Sequence, residues 1–386
     1  MMVSEIEKKF EGYNIILINL DGMRSDSLDI CKTLKEISKK SLYFPNMISV
    51  SPYTLAAHHS IITGLYPSEH GVDAYHSMFK FKNDVVTLPE ILKRDGFFTA
   101  CNVASERFMP EQGFDKYNVF DEYEIDYKTE HKKLLRELSN EKRFFLFLQY
   151  SKLHTHLVKE VLKKYDETNE NEYFNNIEKN KDRFDSHLDE CDDVVDHLIN
   201  TLKEFGLYEK TILIFTADHG TSCGEKKGEK SYGTFLYDYT LKVFCIIHNP
   251  NLKDQIINEQ CSSLDIFPTI MKLAKIDYTK YDLNLSGQDL LAISNNTENK
   301  NRLIYSETGG LNGPWPSPKK HNIFCVRSND SKLIYNDTPQ TWEFYDLKQD
   351  PDEKNNIYNE NLENIIKSKN YLVHILKILN KDTKLT

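Results

Sequence analysis

The run Asn14-Ile15-Ile16-Leu17-Ile18-Asn19-Leu20, closed by Asp21-Gly22, constrains the fold of this chain more than any other stretch. A segment with so little polar alternation cannot leave one face in water. It reads as a strand covered on both sides, inside a mostly parallel sheet. The runs Phe144-Phe145-Leu146-Phe147-Leu148, Thr211-Ile212-Leu213-Ile214-Phe215-Thr216-Ala217 and Val243-Phe244-Cys245-Ile246-Ile247 repeat the pattern. Helical periodicity appears at residues 26–40 and 185–205 between them and at 263–274 after the last, and residues 86–100 read as a helix, a Gly stop and a strand. The expected core is therefore a large mixed, mostly parallel sheet sandwiched by helices.

Chain length supports one such domain and a smaller companion. Of the 386 residues, 1–298 are assigned to the large domain and 299–386 to a C-terminal subdomain, with an Asn-rich boundary at 293–301. Alternating runs at 303–307, 323–328, 332–336 and 342–347, then a helical stretch at 360–380, predict an antiparallel sheet plus a helix there. With 49 basic against 59 acidic side chains the net charge is -10, which disfavours nucleic acid as a partner. An acidic protein handling an anion must concentrate positive charge locally, and a bound metal does this most simply. Seven scattered Cys without a CxxC pair, and no long apolar segment, point to a reduced, cytoplasmic protein without a membrane span.

In parallel sheets ligands gather at the carboxyl ends of strands. Two such ends here carry metal-ligand chemistry, Asp21 after the first run and Asp218-His219 after the third. Between them lies Ser51-Pro52-Tyr53-Thr54-Leu55-Ala56-Ala57-His58-His59-Ser60, followed by Thr63-Gly64-Leu65-Tyr66-Pro67 and His70-Gly71. Thr54 falls near the start of a helix, where a hydroxyl serves either as a plain cap or as a group held against an anion. His154 and His156 follow the second apolar run directly and are candidates to face the substrate or a metal. Residues 105–140 read as polar and irregular, and 159–183 as a solvated insertion or lid. The segment at 224–233, with Lys226, Lys227, Lys230 and Tyr232, reads as a mobile loop over the site.

The order of these pieces resembles the sulfatase branch of the alkaline phosphatase superfamily. Thr54 to His58 and on through Thr63-Gly64, Pro67 and His70-Gly71 are similar to the signature C/S-x-P-S-R-x4-T-G-x2-P-x2-H-G. Thr216-Ala217-Asp218-His219-Gly220, Asp265-Ile266-Phe267-Pro268-Thr269 and Tyr345-Asp346-Leu347 through Asp350-Pro351 resemble later family elements. The resemblance implies an alkaline phosphatase-like fold and a divalent cation held by Asp21, Thr54, Asp218 and His219. One ion is expected, zinc or manganese ahead of calcium or magnesium.

Three departures shape the chemistry. Threonine stands where most sulfatases carry the Cys or Ser that matures to formylglycine. His58 replaces the signature Arg, and Gly22 replaces a second Asp. Relatives with a Thr nucleophile mostly work on phosphorus. The expectation is a metal-dependent hydrolase or transferase of phosphate or phosphonate esters, with Thr54 attacking and His154 or His156 protonating the leaving alcohol. His58 and His70 would orient Thr54 or the substrate, with His70, Lys230 and Tyr232 holding an anionic ester of a small molecule, saccharide or lipid. A sulfatase using unmodified Thr and a non-catalytic anion-binding protein remain as alternatives.

Overall fold

A computed structural model describes residues 12–73, 80–157, 170–281, 283–294, 302–309, 321–360, 362–381 and 383–385. The four apolar runs are strands of one sheet: β1 (Asn14–Leu20), β5 (Phe144–Tyr150), β6 (Thr211–Thr216) and β7 (Lys242–His248). Five more strands complete it: β2 (Leu42–Ile48), β3 (Phe98–Val103), β4 (Lys116–Val119), β8 (Gln255–Ile256) and β9 (Cys261–Ser262). Their order is β4-β3-β5-β1-β6-β7-β2-β8, with β9 also paired to β2. Every pairing is parallel except those of β7 with its two neighbours. Reversal twice over leaves β2 running with β1 and β6, so all three point their carboxyl ends at one edge.

Central position explains the strand composition. All seven residues of β1 and all six of β6 are buried, as covering on both faces requires. The helix Leu188–Glu204 covers one face through Leu188, Val194, Val195, Leu198 and Leu202. The smaller antiparallel sheet follows: β10 (Ile304–Thr308), β11 (Ile323–Arg327), β12 (Ser331–Asn336) and β13 (Thr341–Asp346), with the helix Glu363–Ile378 against it. The boundary placed at 298/299 lies outside the described residues.

Residues 105–140 are more ordered than their polarity suggests. They contain β4 and the helix Tyr127–Leu138, whose Tyr127, His131, Leu134, Leu135 and Leu138 are buried at a 3.6-residue spacing. Charges on the outer face mask that stripe in the sequence. In the segment read as a solvated insertion, the described part holds the helices Glu170–Phe174 and Ile177–Asp185, with Tyr173 and Phe184 buried. The rest, 159–169, lies outside the described residues.

Candidate active site

Asp21 leaves β1 with its amide still donating to the Tyr150 carbonyl at 3.0 Å, so the sheet fixes its position. Gly22 then turns at φ +75°, which side chains other than hydrogen rarely adopt. Its N–H donates to Asp218 Oδ1 at 3.2 Å, tying the two strand ends together. A Cβ on Gly22 would meet Thr221 Oγ1 at 3.0 Å, so a side chain here, such as the second Asp of many sulfatases, would require Thr221 to give way.

Thr54 opens the helix Thr54–Thr63, all ten residues of which are buried. Tyr53 holds the capping position, so the Thr54 hydroxyl is not a cap. Its Oγ1 lies 3.2 Å from Asp21 Oδ1 and 3.1 Å from His219 Nε2. His219 Nδ1 lies 2.7 Å from the Gly220 carbonyl and must carry the proton there, leaving Nε2 as an acceptor. One hydroxyl hydrogen therefore faces two acceptors and can satisfy only one.

The surroundings add to that imbalance. His219 Nε2 is 3.6 Å from both Asp21 Oδ1 and Asp218 Oδ2, and Asp218 Oδ2 is buried with no hydrogen-bond partner. Burial and the adjacent Asp218 raise the Asp21 pKa to about 6. Lone pairs converging on a point without a donor are what a cation site presents. Ligand atoms of Asp21, Asp218 and His219 all lie within 4.8 Å of one another, the only such group among the described residues. These residues fit a divalent cation.

Polar residues within the buried strands brace the ligands. Gln149 Nε2 donates to Asp21 Oδ2 at 2.6 Å, and its Oε1 accepts the Ala104 amide at 2.9 Å. Asn19 pairs in register with Gln149 and with Thr216, and its amide lies 2.8 Å from His58 Nε2. Neither was singled out from sequence, although a carboxamide near the end of a doubly covered strand is the signal that could have found both. His58 lies 3.5 Å from Asp218, but burial lowers its pKa to about 4. It is neutral, and its Nε2 accepts the Asn19 amide rather than bonding Asp218.

The other expected site residues divide. His154 hydrogen-bonds Tyr232, whose ring lies 4.4 Å from that of His219, so His154 and Tyr232 stand over the cluster. Burial opposes a charged His154, but Glu122, with Asp21 and Asp218, outweighs it and raises its pKa. His156 does not join them. The segment after β5 is the helix Lys152–Leu157, and residues two apart on a helix point to different sides. His156 stacks on His187 at 3.9 Å and faces Glu190 at 3.6 Å.

His70 is an internal brace: the Val72 amide donates to its Nδ1, and its Nε2 bonds Ser60 Oγ at 3.0 Å. Lys230 accepts the Tyr173 hydroxyl through its carbonyl, while Lys226 packs on the Tyr237 and Tyr345 rings. The loop at 224–233 does cover the site, through Tyr232, but it is tied down. Buried Glu229 accepts the Thr234 and Phe235 amides and the Tyr239 hydroxyl.

A metal-type cluster at the carboxyl ends of β1 and β6, with a hydroxyl at a neighbouring helix start, defines an alkaline phosphatase-like α/β protein. The sulfatase family model matches residues 13–276, and the chain belongs to that family. A second model, described as N-sulphoglucosamine sulphohydrolase, C-terminal, matches residues 229–378. Arylsulfatase K of Bos taurus is 30% identical over 177 residues, 44% of this chain and 31% of that protein. An N-acetylglucosamine-6-O-sulfatase of Bacteroides thetaiotaomicron is 28% identical over 174 residues, 43% of this chain and 30% of that protein. The alignments thus span under a third of these relatives' own length.

Among solved structures, a 2-O GAG sulfatase superposes with a TM-score of 0.78 at 16% identity, covering 96% of this chain and 93% of its own. The phosphonate monoester hydrolase of Silicibacter pomeroyi gives 0.73 at 15% identity, covering 97% and 96%. At such identities the likeness is one of fold.

Proposed function

We propose that the protein is a metal-dependent hydrolase or transferase of phosphate or phosphonate esters that attacks with the unmodified Thr54 hydroxyl. The observation that carries this reading is the Thr54 oxygen lying 3.2 Å from Asp21 and 3.1 Å from His219 beside a carboxylate oxygen without a partner. Asp21, Asp218, His219 and Thr54 would hold the cation, which supplies positive charge and lowers the pKa of the hydroxyl. A donor set with an imidazole favours zinc or manganese over calcium or magnesium; the family match itself carries no such preference.

Thr54 passes its proton to Asp21 Oδ1 as its Oγ forms the new bond to phosphorus and the bond to the leaving oxygen breaks. His154, whose pKa Glu122 helps to raise against burial, hands a proton to that oxygen, and Tyr232 fixes the imidazole. Water or a second alcohol then takes the group from Thr54.

A second reading, sulfate ester hydrolysis, has a specific support: the curated relatives above are sulfatases. One experiment separates the two. Purified protein is assayed for bound metal and for turnover of phosphodiesters, phosphonate monoesters and aryl sulfates, with Thr54→Ala as control. Faster turnover of the phosphorus esters, abolished in the variant, supports the first reading. A strong preference for sulfate esters replaces it with the second, and absence of both metal binding and turnover overturns both.

A further inference from the structure

The loop that presents Thr54 is gripped by the C-terminal sheet. Strand β10 holds its backbone twice: the Glu307 amide donates to the Val50 carbonyl at 2.9 Å, and Ser306 Oγ to the Ser49 carbonyl at 2.7 Å. A third grip comes through side chains. Tyr53, directly before Thr54, sends its hydroxyl to His321 Nε2 at 2.6 Å. His321 Nδ1 faces Glu307 Oε2 at 3.7 Å, and in the tautomer with its proton toward that carboxylate the tyrosine donates to Nε2.

Glu307 is completely buried and its charge is matched from the chain's far end. Lys381 Nζ lies 2.6 Å from it and 3.4 Å from Asp73. The Ser68 amide and the Tyr305 hydroxyl donate to the same carboxylate at 3.0 and 3.1 Å. Tyr53 belongs to an apolar cluster with Leu55, Ala56 and Val72, and Phe108 and Tyr232 pack against that cluster. Tyr53 thus links the residue before Thr54 to the same apolar group that Tyr232 packs on.

From this geometry we infer that His321 and Glu307, with Lys381 behind them, are positioning residues for Thr54, acting through the Tyr53 hydroxyl. The inference rests on the reading of Thr54 as nucleophile. A buried hydrogen bond of this kind restricts the angle at which the hydroxyl meets the cluster, so its loss lowers the rate of the chemical step more than substrate binding.

The test uses the full chain carrying Tyr53→Phe, His321→Asn and the pair together. Tyr53→Phe keeps the ring packing and removes only the hydroxyl. The readouts are turnover of the best ester of the panel, and hydrogen exchange over residues 50–58. Each single variant should lower kcat by about tenfold with KM within about twofold, and speed exchange in that segment. The double variant should be no slower than either single one, because both break the same link. Unchanged kcat and exchange in Tyr53→Phe overturns the proposal. So does faster exchange with unchanged kcat, or a double variant whose loss is the product of the single losses. If wild type turns over no ester, the functional reading fails, and the affinity of zinc or manganese for Tyr53→Phe decides the positioning claim. Weaker metal binding upholds it, because Thr54 is a ligand, and unaltered binding overturns it.

Discussion

At the scale of single residues, the site is a problem of unmatched acceptors. Thr54, Asp21, Asp218 and His219 bring more lone pairs together than hydrogens, and a bound cation would resolve this. On the proposed reading Thr54→Ala would remove the nucleophile and one ligand, so turnover should fall by about a thousandfold or more while thermal unfolding of the metal-free protein barely moves. Comparable turnover in that variant would remove Thr54 from the mechanism. His154 gives a signed pH prediction. Its pKa is raised, so the charged acid persists to higher pH than for an ordinary histidine. Activity should fall as pH rises through that raised value, and His154→Gln should flatten this limb along with lowering kcat. A pH profile unaltered by the substitution would assign the proton to another group.

Residue types were legible in the sequence where chemistry is local. Asp21, Thr54, Asp218 and His219 each stand at an element end, and the structure gathers all four. Which histidines accompany them was not legible. His154 faces the cluster, whereas His156 stacks on His187 because the segment is helical. His58 and His70, expected to orient Thr54 or substrate, are buried and bonded to Asn19 and Ser60.

Elements matter here through their ends and their close approaches. Gly220 follows His219 at a point where a Cβ would lie 2.3 Å from the Tyr239 carbonyl oxygen. Backbone cannot yield at that distance without displacing the ligand beside it. Gly220→Ala should therefore cost about 2 kcal/mol or more in stability and also weaken metal binding, measured by denaturant unfolding and by calorimetric titration. A full-strength metal site in a destabilised variant would show that the approach serves packing alone. The loop over the site follows the same logic. Its lysines suggested a mobile anion-binding segment, but Glu229 folds it around its own backbone amides and Lys226 turns away to Tyr237 and Tyr345. Its contribution to the site is Tyr232, and through it the placement of His154.

For the whole molecule, the proposed metal would be coupled to stability. Asp21 has a folded pKa of about 6 against 3.8 for an ordinary Asp. With the folded value raised, its contribution is fully present below about pH 4 and is lost as pH rises through 6. Metal-free protein should lose stability across that window through this group. Saturating zinc or manganese should remove the loss and add about 3 kcal/mol at a concentration a hundred times Kd. Unfolding curves at pH 4.5 and 7 (with and without chelator) test both statements, and a metal-free protein as stable at pH 7 as at pH 4.5 would refute the first.

The sequence by itself determined the layered α/β core and the delivery of two carboxylates and a hydroxyl. Apolar runs, turns and helix starts are local properties, and a doubly covered strand can only end at a sheet edge. The tertiary structure alone decided the rest. Helix rotation chose among the histidines. Strand register brought Asn19 and Gln149 against the ligands. The return of the chain placed His321, Glu307 and Lys381 behind Tyr53, at separations of more than 200 residues in sequence that no spacing can reveal. These contacts depend on which surfaces meet when the two sheets pack, and periodicity within one element carries no record of that.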